Sequence, residues 1–191
     1  MSARPLVYIV ISSTRLVRQG PLIAHWVRNV GEESFSSLEF QIVDLLEQDL
    51  PLHSLEPHIP VTGKYIRPGT IKWSTMIKNS QAIIFLTPIY NGTYPAAIKN
   101  ALDYLKGEWV DKPAGILAYS RRGVDSAAVE LERLLTRLKM RVVPELVCVK
   151  TQEIVDTGGN FLSSAEVDNS TKALQGLITY LEQLIVQERS A

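Results

Sequence analysis

The sequence has few features that would tie it to a disulfide scaffold, a nucleic acid or a membrane. Its 191 residues include one cysteine, Cys148, so an intramolecular disulfide is excluded. Lysine plus arginine number 20 and aspartate plus glutamate number 20, and a formally neutral chain gives no electrostatic reason to expect nucleic acid or an anionic membrane. No apolar stretch approaches the roughly 20 residues that span a bilayer, and residues 1–13 do not read as a signal peptide. We therefore expect a cytoplasmic protein without nucleic-acid or membrane partners.

Several common catalytic and binding motifs are also missing. The chain has neither the G-x-x-x-x-G-K-[ST] of a P-loop nor the G-x-G-x-x-G of a dinucleotide fold. The three histidines, His25, His53 and His58, do not have the spacing of metal ligands, so no metal site is predicted. No Ser-His-Asp set and no paired carboxylates occur in the loops where the fold predicts the site.

Strand-like and helix-like segments alternate along the chain. Continuous or alternating apolar runs predict five strands, at residues 6–11, 38–44, 82–86, 114–119 and 141–149. Stretches with a helical period lie between and after them, beginning at residues 21, 70, 95 and 126, with a last helix around 174–185. This alternation predicts a parallel sheet with helices on both faces. We see no linker or repeat and expect one domain over residues 1–191.

The character of the strands predicts their order. The first, third and fourth are continuously apolar, as is typical of the middle of a parallel sheet. The second alternates apolar and polar residues, and the fifth contains Pro144, which central strands avoid. The order 2-1-3-4-5 places both at the edges. The predicted fold is therefore a flavodoxin-like α/β three-layer sandwich with a five-stranded parallel sheet.

In such a sheet ligands bind beyond the carboxyl ends of the strands, near the switch point between strands one and three. The first loop there, residues 12–20, runs into a helix whose free N–H groups and dipole favour an anion. Its hydroxyl groups and arginines add hydrogen-bond donors and positive charge, which suits a phosphate; the alternative is a Ser/Thr-rich turn that only caps the helix. The candidate ligands are Ser12, Ser13, Arg15, Arg18, Gln19 and Gly20.

The loop after strand three carries the longest motif in the chain. Residues 87–91 read Thr-Pro-Ile-Tyr-Asn, and residues 94–103 read Tyr-Pro-Ala-Ala-Ile-Lys-Asn-Ala-Leu-Asp. This run resembles the T-P-x-Y-N and Y-P-x-x-x-K-N-A-x-D hallmark of the NADPH-dependent FMN reductase family, flavodoxin-like enzymes that include quinone and azo-dye reductases. The first loop resembles that family's G-S-x-R loop, with Ser12 at the place of the glycine. The resemblance covers nearly the whole chain.

The resemblance implies an oxidoreductase that passes hydride from NADPH or NADH through bound FMN to a quinone, an azo compound, a flavin or a similar acceptor. No catalytic acid or base is obligatory, because the flavin performs the redox chemistry. The loop residues Pro88, Ile89, Tyr90 and Asn91 become candidate cofactor ligands, with the N–H groups of Tyr90 and Asn91 as donors and the Tyr90 ring as a shield. The alternative is a non-enzymatic protein of the same fold that responds to FMN or a nucleotide.

The loop after strand four departs from the family pattern. The family usually has a glycine-rich stretch here, whereas this chain has Ser120, Arg121, Arg122 and Gly123, which complete the candidate cofactor ligands. Three interpretations stay open. The arginines lie in solvent, they form a cationic handle for a cofactor or pyridine-nucleotide phosphate, or they alter the pocket so that FMN binds poorly.

The last expectation concerns assembly. The family resemblance implies a homodimer or tetramer with the flavin near the subunit interface. We also expect the aromatic side chains of Tyr94, Tyr104 and Trp109 to be exposed, as they would be at such an interface.

Overall fold

The structure is a computed structural model that describes residues 3–52, 56, 63–121, 126–156, 160–162 and 165–190. Its strands are β1 (Leu6–Ile11), β2 (Glu39–Asp44), β3 (Ala82–Pro88), β4 (Pro113–Ser120), β5 (Arg141–Val142) and β6 (Val147–Lys150). Its α-helices are α1 (Gly20–Ser34), α2 (Pro68–Asn79), α3 (Ala96–Asp103), α4 (Ser126–Arg137), α5 (Thr151–Ile154) and α6 (Ala165–Ser190). Short 3₁₀ helices cover Leu45–Glu47 and Gly107–Trp109.

The sheet has the predicted order. Its parallel strands run β2-β1-β3-β4-β5, and β6 also pairs with β4. The fifth predicted strand is thus divided in two. Pro144 lies in the gap, where it has no N–H to contribute to the ladder. Val142 pairs with Ala114, and pairing resumes where Val147 meets Leu117.

Two apolar layers enclose the sheet. Alternate residues of β1 face opposite ways, so Val7 and Ile9 belong to the apolar layer that includes α1 and α6, while Val10 belongs to the layer that includes α2, α3 and α4. Fully burying an aliphatic side chain of this kind stabilises the fold by about 1.5–3 kcal/mol. The sheet therefore gives its carboxyl edge a rigid support on both faces.

Helix α1 brings the first loop to that edge. Pro21 lies in its first turn, where the missing N–H costs no hydrogen bond, and its apolar residues Ile23, Trp26, Val27 and Val30 are buried. Gly31 allows the helix to approach β2 closely, because a Cβ at this position would lie 2.8 Å from the Phe40 ring. The N-terminus of α1 is thereby fixed above the end of β1.

The expected exposure of the aromatic side chains is wrong, since two of the three are buried and the third is partly buried. Tyr104 is 4% exposed and Trp109 is 0% exposed, and Tyr94 is partly buried. The Tyr104 hydroxyl donates to Pro51 O at 2.6 Å, and the Trp109 indole donates to Leu102 O at 3.0 Å. Tyr104 thus packs inward at the end of α3, and the 3₁₀ turn that follows places Trp109 in the core. Within the described ranges, no helix is both long and apolar enough to cross a membrane.

Candidate functional site

A cavity of about 880 Å³ lies at the carboxyl edge of the sheet, beyond β1, β3, β4 and β6. Its volume is typical of a small-molecule site. It brings together all three loops that the sequence predicts to meet there. Of the predicted ligands, those that line it are Arg15, Arg18, Gln19, Pro88, Ile89, Tyr90, Asn91, Ser120 and Arg121.

Three predicted ligands lie behind the cavity wall. Ser12 is fully buried, and its hydroxyl donates to Leu86 O at 2.6 Å. Ser13 is also fully buried and accepts a hydrogen bond from the Tyr119 hydroxyl at 3.1 Å. Gly20 packs against that pair, since a Cβ would lie 2.5 Å from Ser13 Oγ and 2.9 Å from the Tyr119 oxygen. These contacts shape the first loop, and a direct bond from any of the three to a ligand stays a prediction.

Arg18 lines the cavity while its charge is partly satisfied inside the protein. Its Nη1 donates to Asp44 Oδ1 at 2.7 Å and its Nη2 to Asp44 Oδ2 at 2.5 Å. Nη1 also donates to the carbonyl oxygen of Ser13. The guanidinium therefore joins the ends of β1 and β2.

Arg15 is placed quite differently. Its side chain is exposed, and its guanidinium lies over the ring of Tyr90, 4.1 Å from the centroid. Leu16 and Val17 beside it are 97% and 94% exposed. The first loop thus presents one paired arginine, one arginine without a carboxylate partner among the described residues, and an exposed apolar tip.

The loop after β3 forms a tight turn. The Tyr90 N–H donates to Thr93 O at 2.8 Å, and the Thr93 N–H donates to Tyr90 O at 3.1 Å. Asn91 and Gly92 between them have positive φ angles of 50° and 86°, the geometry of a type I′ turn, which an Asn-Gly pair favours. The Tyr90 N–H is engaged inside this turn, whereas the sequence predicts it as a donor to a flavin. That the Asn91 N–H donates to a flavin stays a prediction.

The end of β4 supplies Tyr119 and Ser120 to the cavity, and the loop after it supplies the exposed Arg121. Burial raises the pKa of Tyr119 to about 12, so its hydroxyl stays protonated and remains a donor to Ser13 at neutral pH. The predicted ligands Arg122 and Gly123 lie outside the described residues.

One wall of the cavity is not predicted from the sequence. The last predicted strand lies at an edge of the sheet, and the segment after it carries no motif that points to the site. Because β6 pairs in parallel with β4, its carboxyl end reaches the same edge of the sheet. The parallel direction of the last strand, which the sequence predicts, was the signal that could have placed the following segment at the site. The lining residues missed are Val17, Tyr119, Thr151, Gln152, Val155 and Asp156.

The cavity combines two kinds of surface. Exposed guanidinium groups and the N-terminus of α1 favour an anion such as phosphate. Pro88, Ile89 and Tyr90 add an apolar and aromatic wall beside them. This set suits a ligand that joins a phosphate to a planar ring, and FMN is such a ligand.

Comparison with known proteins agrees with this chemistry. Residues 5–153 match the model of the family described as NADPH-dependent FMN reductase. An NAD(P)H-dependent FMN reductase of Schizosaccharomyces pombe is 37% identical over 74% of this chain and 71% of its own length, and one of Saccharomyces cerevisiae is 36% identical over 71% and 75%. The solved structure of FerB, a flavoenzyme NAD(P)H:(acceptor) oxidoreductase from Paracoccus denitrificans, has the same fold, with a TM-score of 0.70 and 19% identity over 95% of this chain and 98% of that one. The chain belongs to the NADPH-dependent FMN reductase family.

Proposed function

We propose that the cavity holds FMN and that the protein is an oxidoreductase that passes hydride from NADPH or NADH to a small oxidised acceptor. The observation that carries the proposal is the placement of anion-binding groups and an aromatic wall in one cavity at the switch point of the sheet. Membership of the FMN reductase family supports the cofactor and the reductant.

Bound FMN would supply the redox chemistry. The protein's own groups bind and orient. The α1 N-terminus and Arg15 would hold the phosphate, and Tyr90 would border the ring. Tyr119 supports the first loop from below through Ser13. None of these roles requires a protein acid or base to transfer a proton.

A quinone or an azo compound is the proposed class of acceptor. Relatives of the chain include a quinone reductase of Pseudomonas putida and an NADPH azoreductase of Bacillus sp., which are 32% and 29% identical over 60% and 50% of this chain. The nicotinamide and the acceptor would use the same exposed face of the flavin in turn, within a cavity of about 880 Å³.

The test is NADPH oxidation with a soluble quinone, measured on protein loaded with FMN and on the same protein stripped of it. We expect turnover that needs both FMN and the quinone. FMN bound without any pyridine-nucleotide oxidation would instead support the non-enzymatic binding protein.

We also propose a homodimer or tetramer. The family resemblance supports it, and the exposed Leu16 and Val17 beside the cavity are the apolar surface that a second subunit would cover. Light scattering at micromolar concentration tests this. A mass of 21.3 kDa, that of one chain, would contradict it.

A cytoplasmic location completes the proposal. The single cysteine supports it, because a chain that forms no internal disulfide needs no oxidising compartment. Fractionation of cells that express the protein at its natural level tests it, and recovery with a secreted or organellar fraction would contradict it.

A further inference from the structure

Asp44 and Arg18 form an ion pair beside the cavity. Asp44 is the last residue of β2, and Arg18 lies in the loop after β1. Both side chains are 11% exposed, and two hydrogen bonds of 2.7 and 2.5 Å join them. A bidentate pair of this kind fixes the plane of the guanidinium as well as its position.

The donors of Arg18 can be counted. A guanidinium has five N–H groups. Three are used: two from Nη1, to the Ser13 carbonyl and to Asp44 Oδ1, and one from Nη2, to Asp44 Oδ2. The Nε–H and the second N–H of Nη2 have no acceptor among the described residues. These two lie on one edge of the guanidinium, with the spacing that binds two oxygen atoms of one phosphate.

The acceptors of Arg18 are themselves held in place. The Ser13 hydroxyl accepts from Tyr119, and Gly20 closes over this contact. Asp44 Oδ1 also accepts the Leu46 N–H at 3.0 Å, at the start of the 3₁₀ turn. The guanidinium is therefore bonded on one side to a rigid frame, while Arg18 lines the cavity.

We propose that Asp44 is a positioning residue for the FMN phosphate. It holds the guanidinium of Arg18 so that the two unused N–H groups face the phosphate together. The inference rests on the proposed FMN site. Its rival is that Asp44 only offsets the charge of Arg18, in which case removing the carboxylate would strengthen phosphate binding.

The test compares the affinities of FMN and riboflavin, which differ by the phosphate. Each dissociation constant is measured by flavin fluorescence on the stripped full-length protein. For Asp44→Asn we expect FMN to bind about tenfold more weakly and riboflavin to change less than about twofold. Asp44→Glu should recover part of the loss. Asp103→Asn is the matched control, because Asp103 also pairs with a basic side chain, Lys99, on the exposed face of α3.

A double variant shows whether Asp44 acts through Arg18. In an Arg18→Ala background, Asp44→Asn should leave the ratio of the two affinities unchanged. Three results for Asp44→Asn would each overturn the proposal. These are tighter binding of FMN, equal weakening of FMN and riboflavin, and no change in the affinity of either.

A second variant serves if Asp44→Asn does not fold. Arg18→Lys keeps a positive charge beside Asp44 but removes the guanidinium edge that carries the two unused N–H groups. The affinity for FMN should therefore again fall about tenfold relative to that for riboflavin. An unchanged ratio of the two affinities would overturn the proposal. Wild-type protein that binds neither FMN nor riboflavin would contradict the proposed function itself, which is a different result from each of these.

Discussion

The guanidinium of Arg15 lies 4.1 Å from the centroid of the Tyr90 ring, so the loop after β1 touches the loop after β3 across the mouth of the cavity. A contact of this type between exposed groups contributes about 0.5–1 kcal/mol. Arg15 has no carboxylate partner among the described residues, so its full charge is available to an anion, whereas Arg18 is paired with Asp44 and keeps two unused N–H groups.

Replacement of Arg15 by alanine should weaken FMN by about 1.5–3 kcal/mol, through the loss of a charge-assisted bond to phosphate. Riboflavin should lose little, because it has no phosphate. Fluorescence titration of the stripped protein with both flavins measures the difference. Equal weakening would show that Arg15 supports the loop and does not bind the phosphate.

Replacement of Gly20 by alanine should destabilise the protein by about 1–3 kcal/mol, the usual cost of overpacking a close contact. The new methyl group would lie 2.5 Å from Ser13 Oγ and 2.7 Å from Ile11 Cγ2. Gly107→Ala is the control, because nothing lies within 4 Å of a Cβ there. Urea unfolding of the two stripped variants should show a clear loss for the first and almost none for the second. Equal midpoints would contradict the described packing of the first loop.

The sequence predicted the fold more completely than the details of the site. Strand order followed from apolar continuity and from Pro144, since these are local properties of each strand. The burial of Trp109 was not predictable, because it depends on a turn that folds back onto α2 and α3. The pairing of Arg18 with Asp44 was likewise invisible, since it joins residues 26 positions apart through the neighbouring ends of two strands.

The buried carboxylate of Glu108 should make stability depend on pH. Burial opposes its ionisation, but hydrogen bonds from Ser74 at 2.6 Å and Tyr65 at 2.8 Å outweigh that effect and lower its pKa. A lowered pKa in the folded state stabilises the protein above the ordinary glutamate value of about 4.3, and this stabilisation is lost as the pH falls below it. Glu108→Gln should therefore cost about 1–3 kcal/mol at pH 7 and progressively less in acid.

Urea unfolding of wild type and Glu108→Gln at pH 7 and at about pH 4 and below measures this difference. The exposed Glu130, paired with Arg133 on the surface of α4, offers the control substitution Glu130→Gln, which should change little at either pH. A cost for Glu108→Gln that is the same at every pH would contradict the lowered pKa.

The arginines after β4 should favour NADPH over NADH. Arg121 is exposed at the cavity, where a guanidinium can hold the ribose phosphate that distinguishes the two nucleotides. Changing Arg121 and Arg122 together to alanine should reduce the preference for NADPH about five- to thirty-fold and leave the rate with NADH intact. The ratio of kcat/KM for the two nucleotides measures it. An unchanged ratio would place these side chains in solvent, and tighter FMN binding would show that they obstruct the flavin.

Whether the cavity is an FMN site is tested by a calorimetric titration of the purified, stripped protein with FMN. The cavity and its phosphate-binding loop predict one FMN per chain, bound more tightly than riboflavin, with a yellow protein as the product. A protein that stays colourless and takes up no FMN would contradict the assignment of this cavity to FMN.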